Sequence, residues 1–153
     1  GVLAREEENE IRQKFVESDL LECVIGIGRN LFYNSPMEAC VMICRANKIQ
    51  DRKNKILFVD AKDLVMRKNG ESYLEHKHIQ EIVKVYNDYK TISGFSCCVD
   101  IKQVKNNNHH LSVPLYVKRN TDVKYDVSQD YKKYNTYLEE LNIQITNLEN
   151  IFS

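Results

Sequence analysis

Three nearly continuous apolar runs stand out along the chain, set between polar stretches. The first, "DLLECVIGI" at residues 19–27, mixes apolar and β-branched residues without alternation, the pattern of a strand buried on both faces. "EACVMICR" at 38–45 is a second such run, and "ILFVDA" at 56–61 is a third. Gly26, Gly28 and Asn30 mark the end of the first, and "ANKIQDRKNK" connects the second to the third. Residues 6–17 read as a helix, with Glu6, Glu7 and Glu8 at the positive end of its dipole and Ile11 and Phe15 sharing a face. A loop with Gly70 follows the third run. The spacing of Ile79, Ile82, Val83, Tyr86 and Tyr89 then predicts a second helix over 78–89. "FSCCV" reads as a short strand, and Asp100 is placed to cap a short helix over "IKQVK". "NNNHHLSVPLYV" is expected to be extended, because Pro114 biases Val113 away from helix.

The last segment has the clearest period. Val127, Tyr131, Tyr134, Leu138, Leu141, Ile145, Leu148 and Phe152 recur at alternating steps of four and three, a heptad seam. A helix over that stretch would be roughly 39 Å long at 1.5 Å per residue. So narrow a stripe predicts docking on another helix, the alternative being a terminal helix folded back on its own domain. Residues 119–126, rich in charge, read as a linker.

Composition narrows the picture only a little. The 153 residues are enough for one domain, and the 42% hydrophobic content predicts a folded one. Twenty-two basic and 22 acidic residues cancel, so overall charge argues neither for nor against a polyanionic partner. No apolar run reaches the length of a membrane span. Five cysteines, an odd number, predict reduced thiols and a cytoplasmic protein. Gly1 in place of an initiator methionine predicts that the chain continues something begun upstream.

Candidate chemistry is sparse. "GIG" at 26–28 lacks the third glycine of a dinucleotide loop and reads as a strand end. Cys97 and Cys98 precede His109 and His110 by twelve residues. Neighbours on a strand point to opposite faces, so one ion would find one ligand from each pair, and no metal site is expected. Cys40 and Cys44 read as core packing. No catalytic nucleophile, base or acid can be singled out. Lys48, Arg52, Lys53 and Lys55 form a basic loop, either a solvated face or a set of phosphate contacts. "NLFYN" sets Phe32 and Tyr33 among Asn30 and Asn34, just before a buried strand. An aromatic there is either a clamp on the core or a surface for a flat ligand.

The order of these segments is informative. "DLLECVIGIGRNLFYNSPMEACVMIC", then "KILFVDA", the helix at 78–89 and "GFSCCVDIKQVKNNNHHLSVPLYV", resembles the modification subunit of type I restriction–modification systems. That family methylates adenine at N6 in DNA with S-adenosylmethionine. The resemblance is close over residues 1–118 and one of helical pattern beyond.

It implies an α/β fold: the C-terminal portion of a Rossmann-like methyltransferase sheet, with strands at about 20–27, 38–45 and 56–61, then helices and a long C-terminal heptad helix. Residues 1–118 would belong to the catalytic domain and 127–153 would dock on another subunit. The family's glycine-rich cofactor loop and Asn-Pro-Pro-aromatic motif are not in this sequence, whose two prolines are Pro36 and Pro114. The chain alone is therefore expected neither to bind S-adenosylmethionine nor to transfer methyl groups. By matching "LFYN…AC", the role of stacking on the flipped target base falls to Phe32, with Asn30, Tyr33 and Asn34 shaping the loop. The family usually has Gly-Ile-Pro where this chain has Pro36-Met37-Glu38, which puts a carboxylate near the expected DNA path. Implied partners are DNA, the specificity and restriction subunits and a second methyltransferase subunit.

With part of the sheet missing, the strand at 20–27 is expected to leave an unpaired edge or an exposed apolar face, and the chain is expected to self-associate through that surface or through the helix after Val127. A rival reading is a non-catalytic interaction module assembling through the heptad helix. A stand-alone nucleic-acid-binding domain is disfavoured by the zero net charge.

Overall fold

A computed structural model describes residues 3–32 and 35–118. The linker at 119–126, the heptad segment, Tyr33 and Asn34 lie outside the described residues. Helix α1 (Asn9–Glu17) leads into strand β1 (Leu21–Ile27), followed by β2 (Ala39–Cys44) and β3 (Lys55–Ala61). The short strands β4 (Val65–Lys68) and β5 (Glu71–Leu74) form a hairpin, and α2 (His76–Asp88) follows. Strand β6 (Ser96–Asp100), α3 (Ile101–Asn106) and the single turn α4 (Val113–Tyr116) complete the described chain. The main sheet has the order β2-β1-β3-β6, with β1 and β3 parallel and both outer pairings antiparallel.

Strand alternation splits the core between the two faces of this sheet. Val24, Ile56, Phe58 and Val99 pack with residues of α1, α3 and α4 on one face. Cys23, Ile25, Leu57 and Val59 pack with Ile82 and Val85 of α2 on the other. The neighbours Cys97 and Cys98 obey the same rule, the first against one core and the second against the other. Asp100 caps α3 through the Lys102 amide, at 2.7 Å.

Several expectations are corrected. β2 is an edge strand, half-buried rather than enclosed, with Val41 and Cys44 exposed, so Cys44 is not core. β1 is paired on both sides, and among the described residues the edges of the sheet are β2 and β6. The loop around Gly70 is a hairpin: Asn69 and Gly70 both have positive φ, 52° and 84°, the conformation a two-residue turn needs. α4 is helical despite Pro114, because proline is accepted in a first turn where its missing N–H has no partner to lose. In α1 the buried side chains are Arg12 and Val16, while Ile11 is exposed. Arg12 is tolerated inside because its guanidinium donates to the His109 and Arg5 carbonyls. In α2 the buried stripe is His78, Ile82 and Val85, and Ile79 and Val83 face outward.

One ionic hub links most of these parts. The register of β1 slips between Leu21 and Cys23, and Glu22, fully buried, meets four side-chain or ring partners from outside its strand. Its carboxylate accepts from Arg45 Nε at 3.0 Å, Arg52 Nη1 at 3.3 Å and Tyr86 Oη at 2.5 Å. Tyr89 Oη donates to the Glu22 carbonyl at 2.9 Å. Arg52 also lies over the rings of Tyr86 and Tyr89, 5.1 and 4.6 Å from their centroids. Burial pushes the Glu22 carboxyl up, but the hydrogen bonds from Tyr86 and Arg45 and the Arg45 charge outweigh it and leave it below its ordinary 4.5.

Removing that carboxylate strands buried donors and a cation, so Glu22→Ala should cost about 3–5 kcal/mol in chemical denaturation. Because the folded carboxyl is the stronger acid, its contribution is complete above pH 4.5 and is lost as pH falls through the lower folded value. Stability measured from pH 6 to about pH 3 should therefore fall less steeply in Glu22→Gln than in the native chain.

Candidate functional site

Both parallel strands point their carboxyl ends to one edge of the sheet, where ligands of open α/β sheets bind. The loop after β1 lies there. Asn30 takes a left-handed conformation (φ 61°), which asparagine tolerates, and turns the chain. Leu31 then packs against the α2-side core, and Phe32 is 56% exposed. The clamp on the core is thus Leu31, and the flat surface is Phe32. The Ser35 amide donates to the Phe32 carbonyl at 3.1 Å and closes the loop.

The β4–β5 hairpin leaves the end of β3 at the same edge. Gly28 ties the two together. A Cβ there would lie 2.3 Å from the Lys62 carbonyl oxygen and 3.0 Å from Val65 Cγ2, so only glycine allows the approach. Between loop and hairpin opens a cleft of about 540 Å³, lined by Asn30, Phe32, Pro36, Arg67 and Ser72 among others. Glu38 does not stand free in the path of a ligand: it bridges Lys62 Nζ at 2.5 Å and Arg29 Nε at 3.7 Å. A second cleft, about 400 Å³, lies near Gly26, Cys40 and Pro114.

The basic loop is elsewhere. Lys48, Arg52 and Lys53 precede β3 and Lys55 opens it, at the amino edge of the sheet, about 20 Å from the Phe32 loop at 3.3 Å per strand residue. Lys48 is buried and bonds Asp19 Oδ1 at 2.6 Å and the Lys55 carbonyl at 2.8 Å. Arg52 belongs to the Glu22 hub. Neither is presented to a polyanion. Lys53 and Lys55 are exposed, with Lys55 Nζ donating to the Asp51 carbonyl. Burial pushes the Cys23 thiol up to about 12, and likewise raises Cys40 and Cys98, so none of the three is an activated nucleophile. Among the described residues no group of three or more His, Cys, Asp or Glu could hold a metal ion, and no helix is long and apolar enough to cross a membrane.

The fold is shared with type I restriction–modification methyltransferase subunits. The crystal structure of such a subunit from Streptococcus thermophilus superposes with a TM-score of 0.72 at 26% identity, over 78% of this chain and 25% of that one. A chain from a structure on complex assembly and conformational transition of the type I system has the same fold, with a TM-score of 0.55 at 15% identity over 96% of this chain. The family model described as N-6 DNA Methylase matches residues 1–124, and the chain belongs to that family. It is 35% identical over 153 residues to the type I restriction enzyme MjaVIII methylase subunit of Methanocaldococcus jannaschii, and 40% identical over 114 residues to the MjaVII methylase subunit of the same organism. It spans 26% and 20% of their lengths.

The approach at Gly28 carries a clear expectation. Gly28→Ala must push the Lys62 backbone away and should cost about 1–3 kcal/mol in urea denaturation. Gly26→Ala, whose Cβ would meet the Val113 side chain at 3.3 Å and the Val59 carbonyl at an ordinary 3.7 Å, should cost less.

Proposed function

We propose that this chain is the C-terminal part of an adenine-N6 DNA methyltransferase subunit of a type I restriction–modification system, and that Phe32 stacks on the target base. The observation that carries this is the exposed ring of Phe32 at the carboxyl edge of the sheet, in a member of the N-6 DNA Methylase family. An adenine inside a duplex is out of reach of any active site, so it must be rotated out of the stack and loses its neighbours. A ring held at the rim replaces one of them. Asn30, Tyr33 and Asn34 complete the loop around the base.

S-adenosylmethionine supplies the methyl group in this reading, and the residues of this chain do not fit it. The acid of the second cleft, Glu38, is already held by Lys62 and Arg29, which leaves no carboxylate there for a ribose diol. Cofactor binding and methyl transfer fall to a glycine-rich loop and an Asn-Pro-Pro-aromatic motif elsewhere in a longer cytoplasmic chain. The specificity subunit is the partner for the seam from Val127 to Phe152, alongside the restriction subunit and a second methyltransferase subunit. Lys53 and Lys55, at the far edge, would meet DNA only where it wraps beyond the target.

The open edge of β2 favours a second reading, an interaction module that assembles without chemistry. The intact mass of the protein from its native host separates the two. A much larger, methylating chain supports the enzyme, and 18.0 kDa supports the module.

Two outcomes follow from the first reading. In the full methyltransferase, Phe32→Ala should lower kcat/KM for DNA by roughly 5- to 150-fold, the equivalent of about 1–3 kcal/mol of stacking, with Phe32→Tyr largely retaining activity. Unchanged methylation in Phe32→Ala removes the stacking role. The 153-residue chain by itself should show no methyl transfer and should self-associate in light scattering, less so with Val41→Lys on the open edge strand.

A further inference from the structure

We propose that Arg67 of the β4–β5 hairpin grips the backbone phosphate of the nucleotide whose base rests on Phe32, making the hairpin the second wall of a nucleotide cleft. The inference rests on the stacking role of Phe32 and adds a residue on the facing wall. The cleft, at about 540 Å³, has Phe32 and Pro36 on one side and Arg67 and Ser72 on the other. That size is within the range of small-ligand sites, roughly 300–1,000 Å³.

Strand alternation fixes what the hairpin shows to the cleft. Arg67 stands opposite Ser72, and Val65 stands opposite Leu74, two residues along, so all four share one face. Val65 packs against the α2-side core, which makes this the inward face. Met66 and Tyr73 take the other face and are exposed. Glu71, the acid of the cleft lining, lies directly across from Lys68 in the register. Among the described residues no ion pair engages Arg67. Arg67 and Glu71 are both exposed and line the same cleft, and among the described residues no ion pair joins them, so a cation with no acid engaging it is presented there.

The hairpin is also well placed. Asn69 and Gly70 form the two-residue turn that matches strand twist, and the contact at Gly28 sets the hairpin against the loop. A guanidinium is always charged and meets phosphate oxygens with two parallel N–H donors. An aromatic ring on one wall and a guanidinium on the other match the two ends of a nucleotide, base and phosphate.

The test uses the full methyltransferase with its partner subunits and a duplex carrying one target adenine. Arg67→Ala should weaken binding roughly tenfold or more and reduce the slope of log K against log salt by about one. A methylphosphonate at the phosphate flanking the target makes that linkage neutral. On it the native protein and Arg67→Ala should bind equally well. If Arg67→Ala is as weak relative to native on the neutral linkage as on natural DNA, or binds natural DNA with native affinity and salt slope, the proposal is overturned. Phe32→Ala, measured in parallel, keeps the two roles apart. Native methylation in that variant overturns the base site and the phosphate grip together. Lost methylation there, with native behaviour in Arg67→Ala, overturns the grip alone.

Discussion

A carboxylate with no access to water cannot be left unpaired, and Glu22 imposes that condition on three separate segments of this chain. Arg45 comes from the end of β2, Arg52 from the turn before β3, and Tyr86 and Tyr89 from the end of α2. Each is useful only where the other three stand. The most telling is Tyr89, which ends α2 in a left-handed conformation (φ 51°) that a residue with a bulky side chain disfavours. Its hydroxyl reaches both the Glu22 and Lys55 carbonyls, and its ring lies beneath Arg52. The conformation is held by contacts at both ends of the side chain. Asp19 and Lys48 repeat the arrangement alongside, pinning the start of β1 to the start of β3. The amino edge of the sheet is thereby an ionic lattice, closed on itself.

The carboxyl edge is built on another plan. There the contacts are backbone against backbone at Gly28, a tight turn at Asn69-Gly70, and a loop with one apolar anchor. Asp60 is buried there, but the Arg29–Glu38–Lys62 bridge is exposed or half-exposed and its members contribute little to stability. An edge organised this way leaves polar and aromatic groups available to a ligand, while at the opposite edge Glu22, Arg45, Arg52, Asp19 and Lys48 are committed to one another.

What could be read from the sequence follows this division. The runs at 19–27 and 56–61 are legible because strands buried on both faces need nothing but apolar residues. The Asp100 cap is legible because its partner is two residues away. The run at 38–45 looks the same as the others, yet β2 lies at an edge, because an apolar run does not encode which strands flank it. Lys48 and Arg52 read as part of a solvated face or a set of phosphate contacts because their acids, Asp19 and Glu22, stand 29 and 30 residues earlier, and only folding brings them together. The hairpin was legible in Asn69-Gly70 and was hidden by the charged residues around it. With it went Arg67, whose facing follows from the register rather than from its neighbours in sequence.

Leu31 and Phe32 are adjacent, and one is drawn into the core while the other is left outside. Anchoring the first settles the position of the second during folding. The backbone freedom beneath the ring that would be surrendered on meeting a flat partner is thus partly spent before any partner arrives. A side chain so displayed forgoes adaptability, and the anchored neighbour Leu31 sets where its ring stands.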